Sequence, residues 1–332
     1  MQPPAGASGL AFTTADADHY RAQQRIVRVA VDQAQAAWKL LNASDAFGSW
    51  TQLVRPRVVQ DLEHAQESAA ALAPLYIAAT LATARAVSSP VAAVVAAAFA
   101  GFAANGLPLA LLLDFAFRLY QKAVAAGMPP SEARAIGLAR LLTYVSTETA
   151  DAGRLAHAAA ALAEPEIAGY ERIIVLPACG RCILLAGRLY RYSTAFLRHP
   201  RCDCQMKPVT WEQWREDRPG NHPRALFEAM TPAQQNDAFG AGDADAIRAG
   251  ADISRVVNAR RRNAVYVAGG HEYTREATTV RGVGRQLGDL GKQPGRRYSS
   301  ARTPRPTAAQ LVNTARDRDE LITQLRRFGY LR

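Results

Sequence analysis

From Asp16 or Asp18 onward, apolar residues recur near helical spacing, with Ile26, Val29, Ala30, Ala37 and Leu40 separated by Arg and Gln. A break at Asn42–Ser49 and a second periodic stretch from about Val58 to Ala84 predict two helices. Ser88-Ser89-Pro90 combines a serine cap with proline at the first helical position. It predicts a third helix, buried and alanine-rich, running to Ala104. Asn105-Gly106-Leu107-Pro108 is a turn, and a fourth helix follows from about Leu109 to Ala126. Gly127-Met128-Pro129-Pro130 stops it. Ser131 opens a fifth, running to Leu162, with Ile136, Leu141, Leu142, Val145 and Leu155 on one buried face. Residues 1–15, rich in Pro, Gly, Ser and Thr, are expected to be loose.

The pattern changes at Glu164-Pro165. Arg172-Ile173-Ile174-Val175-Leu176 is β-branched and ends at a proline, which suits a buried strand. Leu189-Tyr190-Arg191-Tyr192-Ser193 alternates and predicts a second strand. After Pro208 the chain turns helical again. Short helices are expected at about Pro232–Phe239, behind a Thr231/Gln234 capping box, and at Ala244–Ala249 and Ile253–Arg260. Residues 268–306 are rich in glycine, proline and arginine, which predicts an extended or disordered linker. Thr307 with Gln310 opens the last helical pair, and Asp317–Phe328 is its second member. The expected fold is mainly α, in an α+β arrangement. Its parts would be a helical domain (1–163), a middle module with short helices (164–262), a flexible basic linker (263–306) and a C-terminal helical pair (307–332).

The four cysteines decide the chemistry of the middle module. Cys179, Cys182, Cys202 and Cys204 form C-x2-C, a 19-residue gap, then C-x-C, with His199 three residues before Cys202. Tetrahedral zinc needs four sulfur or nitrogen donors, and two short facing clusters supply them. Thiolates favour zinc over calcium or magnesium. Cys179 and Cys182 are the firmest ligands. Cys204, with either Cys202 or His199, completes a closed structural site. Four reduced structural cysteines are the plain alternative. Tyr190, Tyr192 and Phe196 beside them would suit a nucleic-acid knuckle, although alternating aromatics in a small module more often form its core.

The formal net charge is +11, and it is uneven. Residues 255–332 hold 17 Arg/Lys against 6 Asp/Glu, whereas the first 254 balance. An acidic partner such as DNA is expected for that end, or else a solvated basic tail. Arg255, Arg260, Arg261, Arg262, Arg296 and Arg297 are the candidate phosphate contacts, with Arg302 and Arg305 nearby. Nothing resembles a base-reading helix, so contact would be to the backbone. Only four of the 40 basic residues are lysine, a bias that GC-rich coding explains. No targeting segment is visible at the N-terminus, and the longest apolar run, Val91–Ala104, falls short of the ~20 residues that a bilayer span requires.

Several segments together resemble one family. VLPACGRCILLAGRLYRYSTAFLRHPRCDC (175–204) is similar to the cysteine-rich segment of MuF-like (head morphogenesis) minor head proteins of tailed phages, particularly those of actinobacteria. AFAGFAANGLPLALLL, ALFEAMTPAQQNDAF, AIRAGADISRVVNARR and RDELITQLRRFGYL resemble the same proteins in the same order. Asp203 and the Arg262-Asn263 pair depart from the usual pattern; the donors do not. The resemblance implies a virion component made in the host cytoplasm and carried into the capsid near the portal. Its partners would be portal, capsid or scaffold proteins and, non-specifically, DNA, with no membrane. Some relatives carry the label capsid maturation protease, so cleavage of scaffold or major capsid protein is the alternative function that the resemblance implies. The sequence shows no G-x-S-x-G elbow and no H-E-x-x-H helix, and the cysteines are committed to metal, so no catalytic residue is assigned. His19, His64, His157, His199, His222 and His271 are the histidines.

Overall fold

A computed structural model describes residues 13–194, 196, 198–200, 202, 204–216, 223–276, 290–291, 300–301 and 304–331. The chain forms two compact units: residues 1–175 with 187–218, and residues 176–186 with 219–332. The fold is α-rich α+β, as the periodicity implies.

Four long helices make the first unit: α1 (Thr14–Trp38), α3 (Arg55–Thr83), α4 (Leu109–Ala125) and α5 (Pro130–Ala163). The short α2 (Ala46–Ser49) and a π-turn at Trp50–Val54 lead into α3. A capping box of Thr13 and Asp16 starts α1. Buried Ala34, Ala37, Ala69, Ala116 and Ala133 let the helices pack closely around Trp38, Trp50, Leu113, Phe117 and Leu141. Gly137 sits where a Cβ would come within 2.8 Å of the Trp38 ring. Trp50 stacks on Phe117 at 5.0 Å and donates its indole N–H to Asp114 at 2.8 Å. Of the expected buried face on α5, Leu141 and Val145 are buried, while Ile136 and Leu155 are exposed.

The helix expected from Pro90 to Ala104 does not form. Its serines serve another helix: Ser88 Oγ and Ser89 N–H donate to the Glu164 carboxylate at 2.7 and 3.1 Å. Val91 N–H donates to Ala163 O at 2.8 Å, and Gln66 brackets Gly101 N–H and Phe102 O. These outside partners replace the helical ladder, leaving a single 3-10 turn at Ala96–Phe99. Val91 and Val95, expected inside, lie on the surface.

A three-stranded antiparallel sheet completes this unit. Its centre is β1 (Ile167–Ile173), flanked by β2 (Leu189–Tyr190) and β3 (Gln205–Thr210). Thus β1 begins five residues before the expected strand, and β3 occupies a stretch with no predicted strand. Pro208 and the polar Gln205 and Lys207 hide β3 from a hydrophobicity reading, yet every residue of β1 and β3 is buried. Thr210 then caps α7 (Trp211–Arg215). Tyr190 stacks on Tyr170 at 5.2 Å and Phe196 lies 5.8 Å from the same ring, so these two half-buried aromatics pack against the sheet.

The second unit contains α6 (Gly180–Leu185), α8 (Pro223–Ala229), α9 (Pro232–Phe239), α10 (Ala241–Arg248) and α11 (Ile253–Ala259). It continues through strands β4 (Val265–Ala268) and β5 (His271–Thr274), the short pair β6 (Leu290–Gly291) and β7 (Ser300–Ala301), and β8 (Arg305–Pro306). It ends with α12 (Ala308–Thr314) and α13 (Arg318–Arg327). Phe227, Ile247, Val256, Leu311, Leu325 and Tyr330 form its core. The expected linker therefore carries a hairpin. Gly269 and Gly270 both take positive φ, the demand of a tight two-residue turn, and Tyr266 packs on Tyr273 across the strands.

Candidate metal centre

Cys179 is the N-cap of α6 and Cys182 stands three residues on, so both thiols belong to one helical turn. Cys202 and Cys204 flank one residue ahead of β3. All four thiols are free of disulfides. Cys182, Cys202 and Cys204 form one group of side chains that could hold a metal ion, and Cys179, Cys182 and His199 form another. His199 Nδ1 lies 2.8 Å from Pro200 O. A proton held there leaves Nε2 as the metal donor. Thus all five expected donors fall in two sulfur-bearing groups that share Cys182.

The sequence reading missed what holds the second half of this cluster. Arg154, from α5, is buried and donates to the carbonyl oxygens of both Cys202 and Cys204. Asp151 accepts from Arg154 at 2.9 Å and also pairs with Arg198. Arg172, buried on β1, brings a guanidinium nitrogen 3.9 Å from Cys202 Sγ and lies over Phe196 at 4.3 Å. These cations favour thiolate over thiol. A cavity of about 240 Å³ is lined in part by Ser146, Thr147, Arg198, His199 and Cys202. The i, i+3 spacing of Asp151 and Arg154 on an otherwise alanine-rich helix was the available signal.

Two histidines lie in the interior of the first unit. His19 stacks on Tyr76 at 4.1 Å, and His157 meets that ring edge-on at 5.1 Å. Burial holds both imidazoles neutral, pulling His19 down to about 4 and His157 to about 3; the charge of Asp16 opposes the shift at His19, and His19 adds to it at His157. Burial, with Asp16 beside it, pushes the Tyr76 phenol well above its ordinary range. Both histidines have folded values below the unfolded one. Their contribution to stability is therefore complete above about pH 6.5 and is lost as pH falls toward the folded values. At about 1.4 kcal/mol per pH unit, His157 alone should withdraw about 2 kcal/mol between pH 6.5 and 5. Thermal melts across that range should show the loss, and His157→Leu should flatten the profile; parallel profiles would contradict this.

Several of the described basic residues of the C-terminal quarter have partners within the second unit. Arg255 donates to Gly329 O and Arg305 to Phe328 O, and Arg305 stacks on Tyr330 at 4.0 Å. The two guanidiniums thereby bind the carbonyl-rich end of α13. Arg260 pairs with Asp243 and Glu272, and Arg261 with Glu276. Arg262 is exposed. Arg296, Arg297 and Arg302 lie outside the described residues, as do His222 and Asp203. His271 meets Gln310 at 3.0 Å.

Among the described residues no helix is long and apolar enough to cross a membrane. No curated protein and no solved structure matches the chain. A family match does exist, to the VG15 protein, over residues 11–233. That span takes in the helices of the first unit, its sheet and all five candidate metal donors. The match covers most of the sequence, and the chain accordingly belongs to the VG15 protein family, a family of phage gene products.

Proposed function

We propose that this chain is a minor capsid protein of the MuF-like, head-morphogenesis type. In this reading it is a structural virion component near the portal that assists head assembly and DNA packaging or delivery. The observation that carries the reading is that two groups of candidate metal donors, Cys179, Cys182 and His199 and Cys182, Cys202 and Cys204, fall within a span matched by a phage protein family. A structural zinc ion would bind Cys179, Cys182, Cys204 and either Cys202 or His199. It would tie short segments that have little core of their own. The helical first unit would dock on portal, capsid or scaffold protein. DNA contact would fall to side chains such as Arg262, with Arg296 and Arg297, because Arg255 and Arg260 already hold intramolecular partners. Such contact reads phosphate charge and not base sequence.

Mass spectrometry of fractionated virions tests the reading. The chain should copurify with mature heads at low copy, at full length. Its absence from particles, or its presence only in the infected-cell supernatant, would overturn the assignment.

A further inference from the structure

Four polar side chains from four elements meet in the dry interior of the first unit, where neither the metal reading nor the family match gives them a task. Lys207 on β3 places Nζ 2.9 Å from Asp16 Oδ2 on α1, with the two side chains 4% and 0% exposed. Glu171 on β1 stands directly opposite Lys207 in the antiparallel ladder and is completely buried. Side chains so paired share a face, with Cβ atoms about 5 Å apart. Tyr76 on α3 donates its hydroxyl to Asp16 Oδ1 at 2.5 Å. Thr13 N–H donates to Oδ2 at 2.7 Å. Donors therefore draw on both oxygens of the Asp16 carboxyl, which makes its carbon more open to attack.

From this geometry we propose that Lys207 and Asp16 join in an intramolecular isopeptide bond, with Glu171 as the proton carrier. Two carboxylates facing one ammonium in a water-poor space favour passage of a proton from nitrogen to oxygen. Glu171 takes that proton, and the freed Nζ lone pair attacks Asp16 Cγ. Negative charge collects on Oδ1, where the Tyr76 hydroxyl already donates. Glu171 returns the proton to Oδ2, a second ammonium proton follows, and the Cγ–Oδ2 bond breaks to release water. One hydrogen stays on the new amide nitrogen, Glu171 ends as it began, and nothing is oxidised or reduced. The fixed approach of amine to carboxyl replaces external activation.

Residue choice supports the bond. The chain uses arginine for nearly all its positive charge, with lysine at only four positions. Arginine would serve a buried ion pair better, through its planar fork of donors, but only lysine offers an amine that deprotonates and acylates. The link would fasten the start of α1 to the sheet, so that the unit could not unravel from its N-terminal helix.

Intact-mass measurement on the purified full chain is the test. The folded protein should weigh one water less than its sequence, and digestion should release a branched peptide joining residues 16 and 207. Lys207→Arg should restore the full mass, and Glu171→Gln should leave most of the protein unlinked. Full mass for the folded wild-type chain after prolonged incubation overturns the proposal. So does a water loss that maps to any other residues, or one that persists in Lys207→Arg. Undiminished linking in Glu171→Gln overturns the role given to Glu171.

Discussion

Cys182→Ser should lose stoichiometric zinc and lower the melting temperature by on the order of 10 °C. Cys182 is the donor common to both sulfur groups, so its loss breaks each of them. Structural zinc in small modules carries apparent binding energies of about 10–16 kcal/mol. Only part of that reaches the global transition here, because the first unit has a helical core of its own. A loss of about 7 kcal/mol gives the expected shift in a chain of this size. Zinc analysis of purified protein, with melts before and after a strong chelator, measures both effects. A chelator that leaves the melt unchanged, in protein containing no zinc, would remove the metal centre and with it the physical basis for the head-protein reading. His199→Ala and Cys202→Ser, measured in parallel, would show which of the two completes the ligand set.

The long helices were legible because their periodicity is long and their stops are chemical: Gly127-Met128-Pro129-Pro130 ends α4, and Glu164-Pro165 follows α5. The capping boxes at Thr210 and Thr231 and the simple cap at Thr307 sit at helix starts for a local reason, a hydroxyl answering an N–H three residues on. What escaped was decided at long range. Ser88-Ser89-Pro90 is a sound start signal, but Glu164, far along the chain, takes its donors. In β3, polar residues are buried because partners from other elements satisfy them, and no local window shows that Lys207 will meet Asp16. The β4–β5 hairpin is a different case. Val-Tyr-Val-Ala-Gly-Gly-His-Glu-Tyr-Thr carries both its strands and its turn in plain order, and counting glycines over the whole stretch obscured them. At the metal centre the donors could be read from spacing, whereas the arginines that arrange them could not. Arg154 lies 48 residues from Cys202 and reaches it only through the packing of α5 against the sheet side of the unit.

That distant brace leads to the second large effect. Arg154→Ala should destabilise the first unit by about 3–5 kcal/mol, because it removes one cation from a buried ion cluster and leaves two cysteine carbonyls without their donor. Asp151 would keep Arg198 as its cation, but the carbonyls of Cys202 and Cys204 would lose the guanidinium they now share. Arg154→Lys retains the charge but not the fork, and a single ammonium cannot span two carbonyls and a carboxylate as this guanidinium does. It should recover only part of the stability. Zinc affinity should fall in step, by about tenfold to a hundredfold, as it does when a group that orients metal ligands is removed. Urea unfolding gives the first quantity, and competition with a metal indicator gives the second. Full affinity in Arg154→Ala would show that the thiols find their positions unaided; a wild-type urea midpoint would show that α5 does not need this contact to stay packed on the loop. The double change Asp151→Asn with Arg154→Met separates charge from shape. If stranded charge is the main cost, the pair should be milder than Arg154→Ala alone in stability, yet equally impaired in zinc binding, because neither variant restores a donor to the two cysteine carbonyls.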